Sequence, residues 1–482
     1  MASSILVIDI GTSSAKAVLF CRQGSVLADA EVQYATDVID SGCHEQNPEN
    51  WWTAAVAASR QITDRQDIAA ITLSGTMQSV IAVDHDCRPV RPAILYSDAR
   101  ATREFDDFVA EHDPGRVAEL LGNYPNALLA CFKMKWLQRH EPDAFDRATC
   151  FHSGAKDFLL QRFTGACLTD PTAATTVGLM DQATRQWSAS ICDALDIPIA
   201  TLPAIKPADY TPGGIKPGPA DELGVRPGIP VYLGAGDAGA ATIGAGLQGV
   251  GSTYIYVGTT AWVAQIDERA RGPAADGLYA LSHPSRPGII NISAMLSGGD
   301  SAAWYSELSG KSFAELDALL PSIDQSPPEV MFLPYLKGER SPFNDPAIRG
   351  ALHFLARNDG PPEIFYAVLE GLAFALRANL QALSPHAGPI RLLGGGAISP
   401  MLPQLIADSC RSEVEIAAMP AAATAYGAFL LTRGAIGLDA PAPDAESRLV
   451  PREQRSDRAD KRFKLFTLLT QQARELAASR GA

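Results

Sequence analysis

The chain has 482 residues, which is enough for two or three domains, each with its own hydrophobic core. Apolar residues make up 46% of it and charged residues 20%, a composition that excludes disorder for the bulk of the chain. The 54 acidic side chains outnumber the 40 basic ones and give a net charge of −14, which argues against binding of nucleic acid or of an anionic membrane, because both need positive charge.

Neither an export signal nor a membrane span is predicted. Residues 1–9 lack the basic stretch of a signal peptide and reach an acidic residue after a short apolar run. The eight cysteines form no CxxC pair and have no zinc-ligand spacing, so they are expected to be reduced single thiols. The sequence therefore predicts a cytoplasmic protein without a structural metal.

The first predicted element is a β-meander. Residues 5–8 form a strand, a turn of small residues follows at 10–14, and further strands cover 15–21 and 26–34. A meander disfavours the dinucleotide-binding βαβ fold, in which the glycine turn opens a helix.

Helices and buried strands are predicted to follow the meander. The helices cover 48–62 and 127–140, and the strands cover 68–73 and 80–83. Residues 203–230 are dense in proline and glycine, which predicts a long surface connection approaching a hinge.

A second hairpin resembles the first. Residues 253–257 and 261–266 are predicted strands around a Gly-Thr-Thr turn, and two such hairpins indicate two similarly built halves. Chance is the alternative, since turns of this composition are common. On the duplication reading, the domains are residues 1–247 and 248–482.

The last predicted elements are three helices, with a glycine turn between the first two. A one-sided helix opens at residue 361, and residues 391–399 run from a strand into the turn. Ser399 is the expected N-cap of the helix after the turn, with Pro400 at its first position. A charged tail from residue 455 keeps apolar residues in helical phase, which predicts a docked terminal helix.

Three turns rich in glycine follow predicted strands and are the candidate nucleotide-binding segments. Glycine lets a backbone approach phosphate closely, and hydroxyl and N–H groups donate to its oxygens. None of the three has the P-loop pattern. The predicted nucleotide-binding residues are Gly11, Thr12 and Ser13, then Gly258, Thr259 and Thr260, and finally Gly394, Gly395 and Gly396.

Two carboxylates stand at predicted strand ends. Asp9 precedes the first phosphate turn and could hold a hydrated Mg²⁺, or could simply cap the turn. Asp237 lies among glycines and alanines between a strand and a helix, where it could act as a general base toward a hydroxyl. The alternative for Asp237 is an ordinary helix N-cap. Asp98 and Arg100 could bind a polyol or form an ion pair.

Taken together, these segments resemble the FGGY family of carbohydrate kinases, and within it the xylulokinases. The resemblance spans nearly the whole chain in order. It comprises two phosphate motifs, a catalytic-base motif, an adenosine motif and several intervening blocks, at residues 8–16, 45–52, 93–100, 133–137, 156–159, 236–237, 258–260, 332–342 and 394–397.

The resemblance implies an α/β chain of the actin/hexokinase-like (ribonuclease H-like) fold, with two similar domains around a nucleotide cleft. It implies ATP and Mg²⁺, with the ion held by Asp9. Asp237 would be the catalytic base, and Thr76, Met77 and Gln78 would line the sugar pocket together with it. The expected partners are a small sugar and ATP, without nucleic acid or membrane, and a homodimer is compatible with the family.

Departures from the family pattern concern the sugar. Xylulokinases usually carry a His where this chain has Gln78, and an Asn where it has Ala238. The amide of Gln78 can donate and accept without titrating, which favours a neutral acceptor such as D-xylulose or a related ketose or polyol. A gluconate-type sugar-acid kinase is the alternative within the family. An actin-like ATPase and a non-catalytic sugar-binding regulator are alternatives of other classes.

Overall fold

The structure is a computed structural model, and it divides the chain into two compact units. It describes residues 4–480 except 41, 64–66, 113–120, 122, 124, 248, 270–276, 384 and 439–444. The first unit comprises residues 1–244, 280–289 and 424–442, and the second comprises 245–279, 290–423 and 443–482.

The strands are β1 Ser4–Ile10, β2 Ser14–Cys21, β3 Val26–Gln33, β4 Asp37–Asp40, β5 Cys43–Gln46, β6 Ile68–Gly75, β7 Ile81–Val83, β8 Ala93–Ile94, β9 Cys150–His152, β10 Leu168–Thr169, β11 Met180–Asp181, β12 Gln186–Trp187, β13 Ala204–Ile205, β14 Gly213–Gly214, β15 Pro230–Gly236, β16 Thr253–Val257, β17 Ala261–Asp267, β18 Leu278–Ser282, β19 Ile289–Met295, β20 Met331–Leu333, β21 Ala351–His353, β22 Ile390–Leu393, β23 Val414–Ile416 and β24 Ser447–Leu449.

The α-helices are α1 Pro48–Thr63, α2 Thr102–Glu111, α3 Ala130–His140, α4 Pro142–Arg147, α5 Ala155–Thr164, α6 Pro171–Thr175, α7 Ala189–Ala194, α8 Pro217–Leu223, α9 Asp237–Gly244, α10 Gly299–Ser309, α11 Phe313–Asp317, α12 Leu320–Gln325, α13 Pro361–Ala382, α14 Leu402–Cys410, α15 Ala423–Ala435 and α16 Glu453–Arg480. Short 3₁₀ turns cover Ile199–Thr201, Gly395–Ile398 and Pro420–Ala422. Across the described residues, no helix combines the length and apolarity needed to cross a bilayer.

The sheet of the first unit begins with the predicted meander. Its order is β14-β15-β6-β1-β2-β3. Strands β1, β2 and β3 are antiparallel neighbours, whereas β6 runs parallel to β1, and β15 runs parallel to β6. The carboxyl ends of three parallel strands therefore meet at one edge of this sheet.

The second unit repeats this arrangement. The β16–β17 hairpin is antiparallel, β22 runs parallel to β16, and β23 runs parallel to β22. A hairpin followed by two parallel strands thus occurs in both units, which confirms the prediction of two similarly built halves. The boundary between residues 247 and 248 stays a prediction, and residue 248 lies outside the described residues. The predicted cleft also stays a prediction.

Each unit has its own apolar core. In the first, Trp51 of α1 packs edge-on against Phe158 of α5, with ring centroids 6.4 Å apart. In the second, Phe374 of α13 contacts Phe463 and Phe466 of α16, with centroids at 5.9 and 5.6 Å. The prediction of a docked terminal helix is confirmed by these contacts.

Residues 203–230, predicted as a long surface connection approaching a hinge, contain short packed elements, and the approach to a hinge stays a prediction. The segment lies within the first unit and contains β13, β14 and α8. Leu223 of α8 is fully buried, and its carbonyl accepts a hydrogen bond from the Thr63 hydroxyl of α1. Proline and glycine density marks turns here, but the turns join packed elements.

The helix start predicted at Pro400 is displaced. Helix α14 begins at Leu402, after a 3₁₀ turn and Met401. Ser399 still acts near the helix start, because its hydroxyl accepts from the N–H groups of Met401 and Leu402 at 3.4 and 3.3 Å. A 3₁₀ turn at 395–398 stands where the sequence pattern predicted the glycine turn before the helix.

The prediction of single reduced thiols is wrong for two cysteines. Cys150 at the start of β9 and Cys167 just before β10 form a disulfide. The ring of His152 lies beside Cys150 Sγ, with its Nε2 at 3.7 Å. Sequence spacing gave no sign of this pair, because the fold alone brings the two strands together.

Candidate active site

The predicted site residues of the first unit lie at one edge of its sheet, at the carboxyl ends of three parallel strands. Asp9 of β1 is level with Ser74 of β6, and Ser74 is level with Ala235 of β15. Neighbouring strands are about 4.8 Å apart, so the residues that follow these strands share that edge. The structure thus brings Asp9, the 76–78 loop and Asp237 together.

The first phosphate turn is held from behind. The N–H of Gly11 donates to the Ser14 carbonyl at 2.8 Å, and the Tyr34 hydroxyl donates to the Gly11 carbonyl at 2.5 Å. Gln46 Nε2 donates to the Thr12 carbonyl at 2.8 Å. Because the carbonyls are bonded to the protein and Thr12 and Ser13 are exposed, the turn presents hydroxyls and N–H groups, which suit an anion.

Asp9 is a half-buried carboxylate with a hydroxyl partner. Its Oδ2 accepts a hydrogen bond of 2.6 Å from Thr424 at the start of α15. Burial raises the pKa of Asp9, while the Thr424 hydroxyl and the charge of Lys16 act to lower it. A carboxylate in this position gains from a nearby cation, because burial penalises its uncompensated charge.

Asp237 opens helix α9 and is also half-buried. Its Oδ1 accepts from the adjacent N–H of Ala238 at 2.7 Å. The pKa of Asp237 is raised to about 7, chiefly by burial and to a lesser degree by the negative charges of Asp9 and Asp170, while the N–H of Ala238 acts to lower it. A carboxylate that titrates near neutrality has the proton affinity that suits a general base.

Asp170 lies beneath Asp237 and escaped sequence analysis. It is fully buried, and its Oδ2 accepts from the Gly236 N–H at 3.2 Å and lies 3.0 Å from Lys156 Nζ. Lys156 also pairs with Asp157. Asp170 caps the short helix α6 through its Oδ1. Its Asp-Pro step signalled a helix start, but its contact with Gly236 is purely tertiary.

The 76–78 loop is anchored at both ends. The N–H of Thr76 donates to the Ile10 carbonyl at 2.9 Å, and the N–H of Ser79 donates to Ser153 at 3.0 Å. Met77 packs against Gly236, where any Cβ would collide with its sulfur. Gln78 is half-buried with a φ of 65°. The loop therefore has a fixed backbone beside Asp237.

Asp98 and Arg100 form an ion pair. Asp98 is fully buried, and its Oδ2 is 2.7 Å from Arg100 Nη2 and 2.7 Å from the N–H of His44. Arg100 Nη1 lies 2.7 Å from Glu45. Of the two interpretations left open by the sequence, the structure supports the ion pair.

The second phosphate turn is hydrogen-bonded to a segment that sequence analysis missed. The N–H of Gly258 donates to the Thr260 carbonyl at 2.9 Å. Gly298, Gly299 and Asp300 then donate to the carbonyls of residues 258 and 259 at 2.7–3.2 Å. A Ser-Gly-Gly-Asp step at residues 297–300, where α10 begins, is the signal that could have found these residues.

The third glycine turn lies beside the second. Strand β22 is parallel to β16, and Leu393 is level with Tyr256. Gly394 has a φ of +83°, and a Cβ there would collide with the Val257 carbonyl. Gly395 is exposed with open space above it. The turn therefore offers a flat backbone surface that could accept a planar ring.

Comparison with known proteins identifies the family. The model of the N-terminal domain of FGGY carbohydrate kinases matches residues 4–244, and that of the C-terminal domain matches residues 253–435. This chain belongs to the FGGY family of carbohydrate kinases. Together the two matches cover most of the chain.

Curated relatives of this FGGY kinase carry the name xylulose kinase. The protein from Escherichia coli K12 is 30% identical over 415 residues, covering 83% of this chain and 84% of the relative. The protein from Lactococcus lactis IL1403 is 30% identical over 421 residues, covering 85% and 83%.

Solved structures share the fold over the whole length of the FGGY kinase. A protein described as a xyloylose kinase from Brucella ovis has a TM-score of 0.89 at 26% identity, covering 98% of this chain and 100% of its own. Glycerol kinase from Plasmodium falciparum, with ADP, has a TM-score of 0.86 at 20% identity, covering 96% and 97%. The second likeness shows the fold alone.

Family membership settles the general activity. This FGGY kinase is an enzyme, an ATP-dependent carbohydrate kinase of the actin/hexokinase-like α/β fold. The predictions of family, fold class and sugar kinase activity are confirmed, against the alternatives of a filament ATPase or a non-catalytic regulator. The roles of individual site residues and the identity of the sugar stay predictions.

Proposed function

We propose that this FGGY kinase transfers the γ-phosphoryl group of ATP to a hydroxyl of a neutral ketose or polyol, and first of all D-xylulose. The observation that carries the proposal is the placement of Asp237 beside the 76–78 loop. The pKa of this carboxyl is raised to about 7, chiefly by burial. The names of the curated relatives support D-xylulose among neutral acceptors.

In the proposed reaction, Asp237 accepts the proton of the acceptor hydroxyl. The freed oxygen attacks the γ-phosphorus of ATP, a new oxygen–phosphorus bond forms, and the bond to the β-phosphate oxygen breaks. ADP leaves with the negative charge of that oxygen, and the proton stays on Asp237 until solvent removes it. Asp237 in its ionised form is the competent base.

The proposed phosphate-binding groups belong to two turns. The turn of Gly11, Thr12 and Ser13 and the turn of Gly258, Thr259 and Thr260 donate to phosphate oxygens. Glycines 394–396 lie under the adenosine. Support comes from the exposed donors of the first turn and from the open surface above Gly395.

The residues at the sheet edge fit a magnesium ion. The carboxylate of Asp9 offers oxygen ligands of the kind that Mg²⁺ prefers. Its pKa is raised because burial disfavours the negative charge, and a bound cation would compensate that charge. Asp9 would hold the ion through water. When bound, Mg²⁺ would offset negative charge on the β- and γ-phosphate oxygens.

The acceptor is proposed to be neutral because Arg100, a candidate partner for an acidic sugar, is already paired. A sugar acid needs a cationic partner for its carboxylate, and Arg100 is an arginine that could supply it. Arg100 instead binds Asp98 and Glu45. A gluconate-type activity is therefore disfavoured. A cytoplasmic location, supported by the use of ATP, and a homodimer remain part of the proposal.

A coupled assay of ADP release tests the proposal. The enzyme is given ATP with D-xylulose, D-ribulose, xylitol or D-gluconate in turn. We expect D-xylulose to have the highest kcat/KM and D-gluconate the lowest. Turnover of D-gluconate alone would overturn the neutral-acceptor proposal.

A further inference from the structure

Lys133 is a fully buried lysine whose hydrogen bonds go to backbone carbonyls. It lies on α3, and its Nζ donates to the carbonyl of Leu95 at 2.6 Å and to that of Gln78 at 3.1 Å. Removing an ammonium from water is costly unless its donors are satisfied. The side chain therefore fixes two backbone segments against the helix.

Burial and two neighbouring charged side chains determine the pKa of Lys133. Burial lowers the pKa of Lys133 to about 7, and the nearby carboxylate of Asp98 opposes this while Arg100 adds to it. A neutral amine keeps two N–H groups, which is enough for both carbonyls. The two contacts can therefore persist on either side of neutral pH.

Gln78 has a backbone conformation that needs support. Its φ of 65° lies in the left-handed region, which residues with side chains rarely adopt. The contact from Lys133 to the Gln78 carbonyl holds that conformation. Within the described part of the chain, no residue hydrogen-bonds to the half-exposed side-chain amide of Gln78, so the amide is open to a ligand.

The second carbonyl leads toward the phosphate turn. Leu95 is followed by Tyr96, whose hydroxyl lies 3.3 Å from Thr12 Oγ1. The bond from Lys133 to the Leu95 carbonyl fixes the backbone just before Tyr96, and the Tyr96 side chain makes its own contact with Thr12.

We propose that Lys133 is a positioning residue for the acceptor sugar. Its side chain holds the Gln78 backbone in the left-handed conformation, so that the Gln78 amide meets a sugar hydroxyl. This inference rests on the proposed function, which places Gln78 in the acceptor pocket. Lys133 itself does not touch the substrate.

A double-mutant cycle tests the inference. The variants are Lys133→Met, Gln78→Ala and the two combined, assayed for the KM of D-xylulose and of ATP. We expect each single variant to raise the KM of D-xylulose about fivefold or more and to leave the KM of ATP within about twofold. The combined variant is expected to have a KM of D-xylulose no higher than that of the single variants. Each single variant already removes the same contact, the one between the Gln78 amide and the sugar hydroxyl.

Lys135→Met is the matched control. Lys135 lies on the same helix, but its Nζ pairs with the exposed Asp196 at 2.9 Å. We expect Lys135→Met to leave both KM values unchanged. If Lys133→Met does not fold, Lys133→Gln replaces it, because the amide keeps N–H donors for a carbonyl at lower volume.

The outcomes separate the inference from the proposed function. If the effects of Lys133→Met and Gln78→Ala multiply in the combined variant, or if the KM of ATP rises as much as that of D-xylulose, Lys133 has a general packing role and the inference is wrong. If Gln78→Ala alone leaves the KM of D-xylulose unchanged, the acceptor-pocket assignment is wrong and the inference falls with it.

Discussion

The hydroxyl of Thr424 donates a hydrogen bond of 2.6 Å to Oδ2 of Asp9, although 415 residues separate the two in the chain. Thr424 belongs to the segment 424–442, which packs with the first unit. The carboxylate proposed to hold magnesium is thus oriented by a helix that follows the adenosine motif.

We expect Thr424→Val to weaken the magnesium dependence of the kinase. Without the hydroxyl, the carboxylate of Asp9 loses its orientation and its pKa rises further. A lost hydrogen bond costs about 0.5–1.5 kcal/mol, so the Mg²⁺ concentration for half-maximal activity should rise up to about tenfold. Titration of activity with Mg²⁺ at saturating ATP measures this.

Thr432→Val is the control for that variant. Thr432 lies on the same helix and is buried, and its hydroxyl has no hydrogen-bond partner among the described residues. We expect it to leave the Mg²⁺ requirement unchanged. The same shift in both variants would show that the Thr424 effect is a general disturbance of the helix.

Asp237 should make the protein less stable at high pH. The folded-state pKa of about 7 lies above the ordinary value of 3.8. The folded state therefore binds more protons between these values, and stability present below pH 3.8 is lost as the pH rises through 7. Asp237→Asn removes the charge and with it this loss.

We therefore expect Asp237→Asn to be more stable than the wild type at pH 8. A difference of one in pKa corresponds to about 1.4 kcal/mol, and partial exposure of Asp237 screens part of the effect, so the gain should be about 2 kcal/mol. Urea unfolding at pH 5 and pH 8 measures it. An equal gain at both pH values would mean that the charge of Asp237 is not its source.

Neighbouring glycines of the third turn should respond differently to substitution. Gly394→Ala should destabilise the protein, because Gly394 has a φ of +83° and its Cβ would meet the Val257 carbonyl. Gly395→Val should leave the melting temperature nearly unchanged, because open space surrounds a Cβ there. It should nevertheless raise the KM of ATP by blocking the surface proposed for adenosine. An unchanged KM of ATP in Gly395→Val would contradict that placement.

The sequence alone predicted the elements that present the site. Apolar runs identified β1, β6 and β15, and a glycine-rich turn marked the end of β1. Asp9 and Asp237 were found because each stands directly at a strand end. Patterns of this kind involve only residues that are adjacent in the sequence, so they can be recognised without a structure.

Residues that depend on tertiary contact could not be found in this way. Thr424 and Asp170 act on the site from distant segments, and no local pattern records which strand end they meet. The short elements within 203–230 were missed for a related reason, because proline and glycine mark turns without showing which packed elements the turns join. The disulfide of Cys150 and Cys167 likewise follows from the placement of two strands.

Asp237 is the base proposed to accept the hydroxyl proton, and the proposed reaction depends on it most directly. The decisive measurement compares Asp237→Asn with the wild type for kcat with D-xylulose and for ATP binding by calorimetry. Loss of a general base typically costs about 10²–10⁴ in rate, so kcat should fall by that factor while the Kd of ATP stays within about twofold. A variant that keeps more than about a tenth of the wild-type kcat would contradict the assignment.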